Sequence, residues 1–374
     1  MNGRGDIAFA ANPLAADGKT GTQYFVALKT QAGLSAAVPL ATYYATANGD
    51  QKLWLNDQGK VAFNQYFSNS LEGMFIGSAD TTGNGLIPVA TADQSAPWVA
   101  ARAKLQAVNG VGFNNKGDSA YVAGFSSPDD FNGDGLFLRM SDGTHRYLVN
   151  PKTVSPAGGF FDRMRSPTVG PIVLTDDRNA VFAARTSVWD GFLADSAIFS
   201  MGVSGGRTIA RENDHVPGLG STVVYNDLCS AGNGYGVDPA GHVLFKASLD
   251  DTRTVGLDGD ALLFYDPVTD HVSVIAVTGT SALVDIRGDG SVFSSIAYIT
   301  ADIPDPNNPS DNNANNAFYG DQAVFRLNFV NGMSGIYVAT IPEPSAFATI
   351  TFLAVLLMRR RIQLRTTLNV NGRI

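Results

Sequence analysis

The sequence predicts an all-β protein, a β-propeller-like array of about six repeat units followed by a C-terminal hydrophobic helix. Three observations support this. A short unit recurs at a period of roughly 60 residues. Between residues 20 and 340 the apolar residues alternate and do not follow helical spacing. The 40 glycines and 17 prolines, together with Asn and Asp, interrupt any long helical window in that region. The predicted β-repeat domain spans residues 1–340.

Each repeat unit contains an Asn or Asp, two variable residues, a Gly and an apolar run that ends in an aromatic residue. Asn, Asp and Gly favour a tight turn with left-handed backbone, and the alternating residues then enter a half-buried strand. Copies begin at Asn2, Asn56, Asn114 and Asp238, with degenerate copies at Asp176, Asp285 and Gly320. We expect five aromatic residues to occupy equivalent buried strand positions: Phe9, Phe63, Tyr121, Phe182 and Phe245.

A second strand pattern, small residues followed by large apolar ones, appears downstream of most copies. It lies at residues 73–76, 135–138, 197–200, 261–264 and 335–338. Two to four short strands per unit are typical of propeller blades. The alternative is a non-repetitive β-sandwich rich in Asn-Gly turns. After Phe245 the aromatic positions shift by 48 residues to Phe293 and 32 to Phe325, which indicates that the last units are incomplete or rearranged.

Composition limits the classes of function. The net charge of −8 and the pI of about 4.9 leave no basic surface for neutralising phosphates, so we expect no nucleic-acid partner. Cys229 is the single cysteine, which excludes an intrachain disulfide and a metal site built on several thiolates.

The segment that begins at Asp130 matches the first half of an EF-hand-type calcium loop. Asp130, Asn132 and Asp134 alternate, so that their side-chain oxygens can converge on a hard cation such as Ca²⁺. Ser141 occupies the position of the expected acidic ligand, and a strand-like stretch follows where a helix is expected. A plain hairpin turn is the alternative. The polar loop at 303–316 offers the same chemistry, with a solvated loop as its alternative.

Catalytic motifs are weak, and we predict that the protein is not an enzyme. Residues 202–206 satisfy the G-x-S-x-G pattern literally, but strands are predicted on both sides, whereas a nucleophile elbow joins a strand to a helix. We therefore expect a hairpin turn there. The histidines are scattered, without metal-ligand spacing, and are expected to be structural or surface residues. They are His145, His215, His242 and His271.

The C-terminal tail has the organisation of a membrane-engaging address. It contains a proline-rich break, an apolar run and a basic cluster: Pro342, Glu343 and Pro344, then residues 346–358, then Arg359, Arg360 and Arg361. As a helix the apolar run would span ~20 Å, less than the ~30 Å hydrocarbon core, with the arginines held on the cytoplasmic face. The alternative is a buried C-terminal helix with a basic end. Residues 362–374 are predicted to be a disordered extension.

Residues 341–361 resemble the PEP-CTERM sorting signal of bacteria, which the membrane enzyme exosortase recognises. The repeat units resemble a bacterial secreted family with tandem N-x-x-G-x-x-A-F units, often followed by an anchoring tail. The resemblance implies an exported protein at the cell surface or outside the cell, anchored transiently or permanently by its C-terminal helix. It also implies exosortase-type sorting machinery and the membrane as partners. Because residues 1–9 lack a secretory signal, we expect the chain to start inside a longer precursor.

Two hypotheses for function follow. In the first, the protein is an exported, non-catalytic repeat protein that acts as a scaffold or binding component of the cell surface or extracellular matrix, with extracellular polysaccharide as a candidate partner. In the second, it is a propeller enzyme acting on extracellular glycans, with its site at the central channel. Carboxylates or histidines that converge at the channel would favour the enzyme.

Overall fold

A computed structural model describes most of the β-repeat domain. The described residues are 3–11, 23–40, 53–66, 72–79, 86–128, 132–150, 153–161, 172–187, 194–228, 234–251, 259–279, 281–284, 292–301, 318–319, 322–330, 332 and 334–340. Their regular secondary structure consists of 28 strands, which confirms the all-β prediction. The predicted hydrophobic helix and the sorting residues Pro342, Glu343, Pro344, Arg359, Arg360 and Arg361 lie outside the described residues.

The first three sheets follow one another along the chain. Sheet 1 contains β1 (Ile7–Ala11), β2 (Gln23–Ala27) and β5 (Val38–Pro39), and β3 (Lys29–Thr30) pairs with β4 (Gly33–Leu34) in a small ribbon. Sheet 2 contains β6 (Leu53–Leu55), β7 (Lys60–Tyr66), β8 (Glu72–Ser78) and β9 (Ile87–Thr91). Sheet 3 contains β10 (Lys104–Phe113), β11 (Ser119–Ser126), β12 (Gly133–Arg139) and β13 (His145–Val149).

The next three sheets have five strands each. Sheet 4 contains β14 (Phe160–Phe161), β15 (Val173–Leu174), β16 (Ala180–Ser187), β17 (Ala194–Gly202) and β18 (Gly205–Arg211). Sheet 5 contains β19 (Val223–Tyr225), β20 (Tyr235–Val237), β21 (Val243–Asp251), β22 (Gly259–Asp266) and β23 (His271–Val277). Sheet 6 contains β24 (Ser281–Val284), β25 (Val292–Ala301), β26 (Phe318–Tyr319), β27 (Gln322–Phe329) and β28 (Ser334–Thr340).

The repeat aromatic residues have the same cross-strand partner position in each of the first five sheets. The pairs are Phe9 with Phe25, Phe63 with Phe75, Tyr121 with Phe137, Phe182 with Phe199 and Phe245 with Leu263. All strand pairs are antiparallel, and the repeat turn comes directly before the strand that carries the aromatic residue. The predicted period therefore corresponds to one sheet per unit.

Burial of these aromatic residues was predicted correctly at four positions and wrongly at Phe9. The side chains of Phe63, Tyr121, Phe182 and Phe245 are 0% exposed, whereas Phe9 is 39% exposed. The reason is that the aromatic face of each later sheet packs on the sheet before it, and sheet 1 is the first sheet of the series.

Successive sheets pack face to face through alternating side chains. Tyr24 of sheet 1 lies 4.4 Å from Phe63 of sheet 2, measured between ring centroids. Met74, on the opposite face of sheet 2, packs in one cluster with Tyr121 of sheet 3, and Leu136, on the opposite face of sheet 3, packs with Phe182 of sheet 4. Burial of both faces excludes water from each interior sheet and supplies the main stabilising term of the fold. Six antiparallel sheets stacked in chain order form a β-propeller-like array.

The rearrangement predicted near the C-terminal end has a simple origin. Phe325, in the degenerate copy that begins at Gly320, lies on β27, and Phe293 lies on β25 of the same sheet. The copy at Gly320 is therefore a later strand of sheet 6 and not a separate unit. This explains why the spacing between the two aromatic residues is only 32 residues.

Candidate functional site

The repeat turns share one internal hydrogen-bond pattern. In the second turn the Asn56 Oδ1 accepts bonds from the backbone N–H groups of Gln58 and Lys60 at 3.0 and 2.9 Å. The Asn56 carbonyl accepts a bond from the Gly59 N–H at 3.1 Å. The side chain thus fixes the turn from inside, which is the usual role of Asn at such positions.

Equivalent side chains close the next three turns. The Asn114 Oδ1 accepts from the Asp118 N–H at 2.8 Å, and the Asp238 Oδ1 accepts from the His242 N–H at 2.9 Å. In the fourth turn this role belongs to the Thr175 Oγ1, which accepts from the Asn179 N–H at 3.1 Å. The fourth unit therefore begins one residue before the predicted Asp176. Sequence reasoning missed Thr175, although the first turn residue stands seven positions before the aromatic residue in the other four copies.

The fourth residue of each turn has left-handed backbone, with one non-glycine exception. The glycines are Gly5, Gly59, Gly117 and Gly241, with φ between 76° and 94°. At the equivalent position of the fourth turn Arg178 has φ of 66°. A side chain in this region is strained because its Cβ crowds the backbone.

The Arg178 side chain bonds to the sheet before it. Its Nε lies 2.8 Å from Oδ2 of Asp118, a fully buried carboxylate. Burial alone raises the pKa of Asp118, but hydrogen bonds donated by Arg178, the Ser141 N–H and the Asn114 amide outweigh it and hold the pKa below its usual value. Asp118 is therefore a charged structural anchor between two sheets.

Adjacent turns are bonded into a ladder along one edge of the array. The backbone N–H of the second residue of each turn donates to the second residue of the next turn. The bonds run from Gly3 to Asp57 Oδ1 (2.8 Å), from Asp57 to Asn115 Oδ1 (2.8 Å), from Asn115 to Asp176 Oδ1 (2.9 Å) and from Asp176 to the Pro239 carbonyl (2.9 Å). We call these five turns, residues 3–5, 56–59, 114–117, 175–178 and 238–241, the turn ladder.

First residues of the turns add a second, parallel set of bonds. The Asn56 Nδ2 donates to the Asn114 carbonyl at 3.1 Å, and the Asn114 Nδ2 donates to the Thr175 carbonyl at 3.0 Å. The third residues instead face solvent and differ in chemistry. They are Arg4, Gln58, Lys116, Asp177 and Ala240. The turn ladder thus holds a row of variable side chains on a fixed backbone.

The predicted calcium loop is described only in part. The Asn132 Oδ1 accepts a hydrogen bond from the Ser127 N–H at 3.1 Å, and Asp134 lies on β12 opposite Gly124. Asp130 lies outside the described residues. Across the described ranges, no group of three or more His, Cys, Asp or Glu side chains is arranged to hold a metal ion. The bond at Asn132 fits the hairpin alternative, and the calcium site stays a prediction.

Two histidines have well-defined partners. His145 stacks on Trp98 with 4.0 Å between ring centroids, and its Nδ1 lies 2.8 Å from the Tyr121 hydroxyl. Burial lowers the pKa of His145 to about 4, so the ring is neutral near pH 7. The His242 Nδ1 lies 2.8 Å from Oδ2 of Asp238, and this bond raises the pKa of His242. Both rings pack inside the sheet array, in agreement with the predicted structural role.

The G-x-S-x-G match is a hairpin, as the sequence predicted. Gly202, the last residue of β17, pairs with Gly205, the first residue of β18, so Val203 and Ser204 form the loop between two strands. The strand-to-helix geometry of a nucleophile elbow is therefore not present at this position.

Within the residues that the structure describes, none of the elements is a helix long and apolar enough to cross a membrane.

Similarity searches found β-rich structures at low sequence identity. TolB from Acinetobacter baumannii matches with a TM-score of 0.37 and 10% identity over 90% of this chain, and this chain spans 64% of the length of that protein. An oligogalacturonate lyase in complex with manganese matches with a TM-score of 0.43 and 10% identity, covering 90% of this chain and 86% of the lyase.

A third similar structure is the β-propeller domain of the Trilobed protease from Pyrococcus furiosus. Its TM-score is 0.34 at 9% identity, with 91% of this chain and 93% of that chain covered. No curated protein sequence matches the chain. The model of a family of unknown function, DUF7453, matches residues 1–348. The chain therefore belongs to the DUF7453 family of unknown function.

Proposed function

We propose that this protein is an exported, non-catalytic scaffold of the cell surface or extracellular matrix, which presents a row of side chains from a rigid β array. The turn ladder is the observation that carries the proposal. Its first and second residues use their side-chain or backbone polar atoms in bonds within and between turns. Its third residues remain exposed and variable in chemistry. This division of roles suits presentation, because the backbone is fixed independently of the displayed groups.

The displayed row suits a polar, extended partner. Gln58 and Lys116 offer hydrogen-bond donors on neighbouring turns, and Asp177 offers acceptors one turn further. Such a row fits extracellular polysaccharide, whose repeating hydroxyl and acidic groups can bind at several weak points at once. Each contact is weak, so binding would depend on the whole row.

Sorting through the tail is the second part of the proposal. Pro342, Glu343 and Pro344 would separate the array from the apolar run, and Arg359, Arg360 and Arg361 would remain on the cytoplasmic side. The exosortase-type machinery would then act outside the membrane, on the proline-rich segment. The order of break, apolar run and basic cluster in the sequence supports this.

Expression in a bacterium with exosortase tests the proposal. The gene is expressed with its upstream in-frame sequence restored, cell fractions are separated, and both protein ends are determined by mass spectrometry. We expect a mature protein outside the cytoplasmic membrane that ends near Pro344. Replacing Arg359, Arg360 and Arg361 together by Gln should reduce the exported fraction, whereas Arg365→Gln should not.

Recovery of an intact cytoplasmic chain that ends at Ile374 would contradict the export proposal. The presentation proposal has a separate test on the purified protein. Retention on immobilised extracellular polysaccharide should fall in the Gln58→Ala, Lys116→Ala double variant but not in the hairpin-loop variant Val203→Ala. Release of new reducing ends from the polysaccharide would instead favour a glycan-cleaving enzyme.

A further inference from the structure

Every interior sheet presents its two faces in the same order along the chain. The face that carries the repeat aromatic residue packs on the preceding sheet, and the other face packs on the following sheet. In sheet 4, Phe182 packs with Leu136 of sheet 3, whereas Ile198 is in one cluster with Tyr235 of sheet 5. The array therefore has a direction, and its two ends are different surfaces.

The last sheet exposes the face that, in the other sheets, meets a following sheet. Val324 and Val338 are paired across β27 and β28 and are 42% and 59% exposed, and Ile336 beside them is 78% exposed. The equivalent Ile198 of sheet 4 is 1% exposed. The one charged residue in this stretch of β27 and β28, Arg326, donates a hydrogen bond to the Ser334 hydroxyl. Such a concentration of apolar side chains on one face marks a contact surface.

The first sheet exposes the complementary face. Phe9 and Phe25 stack with 5.3 Å between their centroids, and Phe9 is 39% exposed. In every later sheet of the first five, the equivalent aromatic residue packs on the sheet before it. Sheets 1 and 6 thus offer the two halves of the same interface that recurs between the interior sheets.

We propose that the Val324, Ile336 and Val338 face of sheet 6 packs on the Phe9 and Phe25 face of sheet 1 in the same chain, so that the array closes through apolar contact between its two end sheets. The repeated order of faces fixes which surfaces meet. Closure within one chain is favoured over assembly of two chains because the two faces are tethered, which gives an effective concentration of about millimolar. A second copy joined head to tail would instead produce an open-ended chain of molecules.

Cross-linking tests which surfaces meet. In the full chain with Cys229→Ser, the exposed residues Ala10 on β1 and Thr340 on β28 are replaced by Cys. Facing sheets are about 10 Å apart, so a bismaleimide of about that length joins them only if the faces meet. The expected product is a cross-linked monomer whose yield does not change over a hundredfold dilution. The matched control pairs Ala10→Cys with Val203→Cys on the β17–β18 hairpin and should give no monomer product.

Charge substitution tests whether the faces pack. The double variant Ile336→Asp, Val338→Asp should lower Tm by several degrees, whereas Val268→Asp, at a residue 79% exposed on the β22–β23 turn, should leave Tm unchanged. Products that link two chains, or no monomer product, would overturn the proposal. A monomer product combined with equal Tm values for the two charge variants would also overturn it, because the sheets would then be neighbours without packing.

Discussion

Replacing Asn114 by Ala removes three hydrogen bonds from the centre of the turn ladder. The Asn114 side chain accepts from the Asp118 N–H at 2.8 Å and donates to the Thr175 carbonyl at 3.0 Å and to the Asp118 carboxylate at 3.3 Å. The residue is 3% exposed, so water cannot replace these bonds without a local rearrangement. Each lost bond contributes about 1 kcal/mol, and the buried groups left unpaired add to the loss.

We therefore expect Asn114→Ala to lower the free energy of unfolding by about 3–5 kcal/mol. Lys116→Ala is the matched control, because Lys116 is the exposed third residue of the same turn, and its replacement should change the free energy by less than about 0.5 kcal/mol. Asn114→Asp retains the oxygen that closes the turn, loses the donor to Thr175 and places a second carboxylate beside Asp118. It should fall between the two if the bond within the turn carries most of the energy.

Urea unfolding followed by circular dichroism and by tryptophan fluorescence measures all three variants. The two probes should give the same transition midpoint if the sheets unfold as one cooperative unit. A lower midpoint for Asn114→Ala with an unchanged slope would indicate a change in stability alone. The reasoning is refuted if Asn114→Ala and Lys116→Ala have the same midpoint, because the bonds of the turn ladder would then add nothing to the folded state.

Two further predictions concern charged groups. The depressed pKa of Asp118 contributes stability that is fully present above its unfolded pKa of about 4 and is lost as pH falls through the lower folded pKa. In Arg178→Ala this stabilisation should be smaller, and the difference from wild type in urea midpoint should shrink between pH 6 and pH 2; a constant difference would contradict the role of the ion pair. For the calcium loop, calorimetry with millimolar Ca²⁺ should give heat with wild type and none with Asp134→Ala. Absence of heat from both proteins would leave only the hairpin formed by Asn132 and Ser127.

Local patterns in the sequence were sufficient to predict the turns and strands. Asn114, Gly117 and Tyr121 specify a turn, its left-handed residue and the buried position that follows, because each role depends on backbone geometry within seven residues. The same reasoning found the hairpin at 202–206. It failed at Thr175, because a threonine hydroxyl closes the turn there and the pattern required Asn or Asp.

Contacts between distant parts of the chain were less accessible. The bonds from Asn115 to Asp176 and from Asn56 to Asn114 join residues 61 and 58 positions apart, and no local property of either partner predicts them. The exposure of Phe9 is also non-local, since its sequence surroundings match those of the buried Phe63. What differs is the presence of a neighbouring sheet, which periodicity alone does not reveal.

The uniform spacing of bonds along the turn ladder restricts how the length of the chain can change. Removing or duplicating a whole unit of about 60 residues would bring an equivalent turn to each vacated position, and the donors and acceptors would match again. An insertion of a few residues within the segment from Asn114 to Tyr121 would displace the closing side chain relative to its strand and break bonds on two neighbouring turns. Length variation within DUF7453 is therefore expected in whole units, or in loops that lie away from this edge.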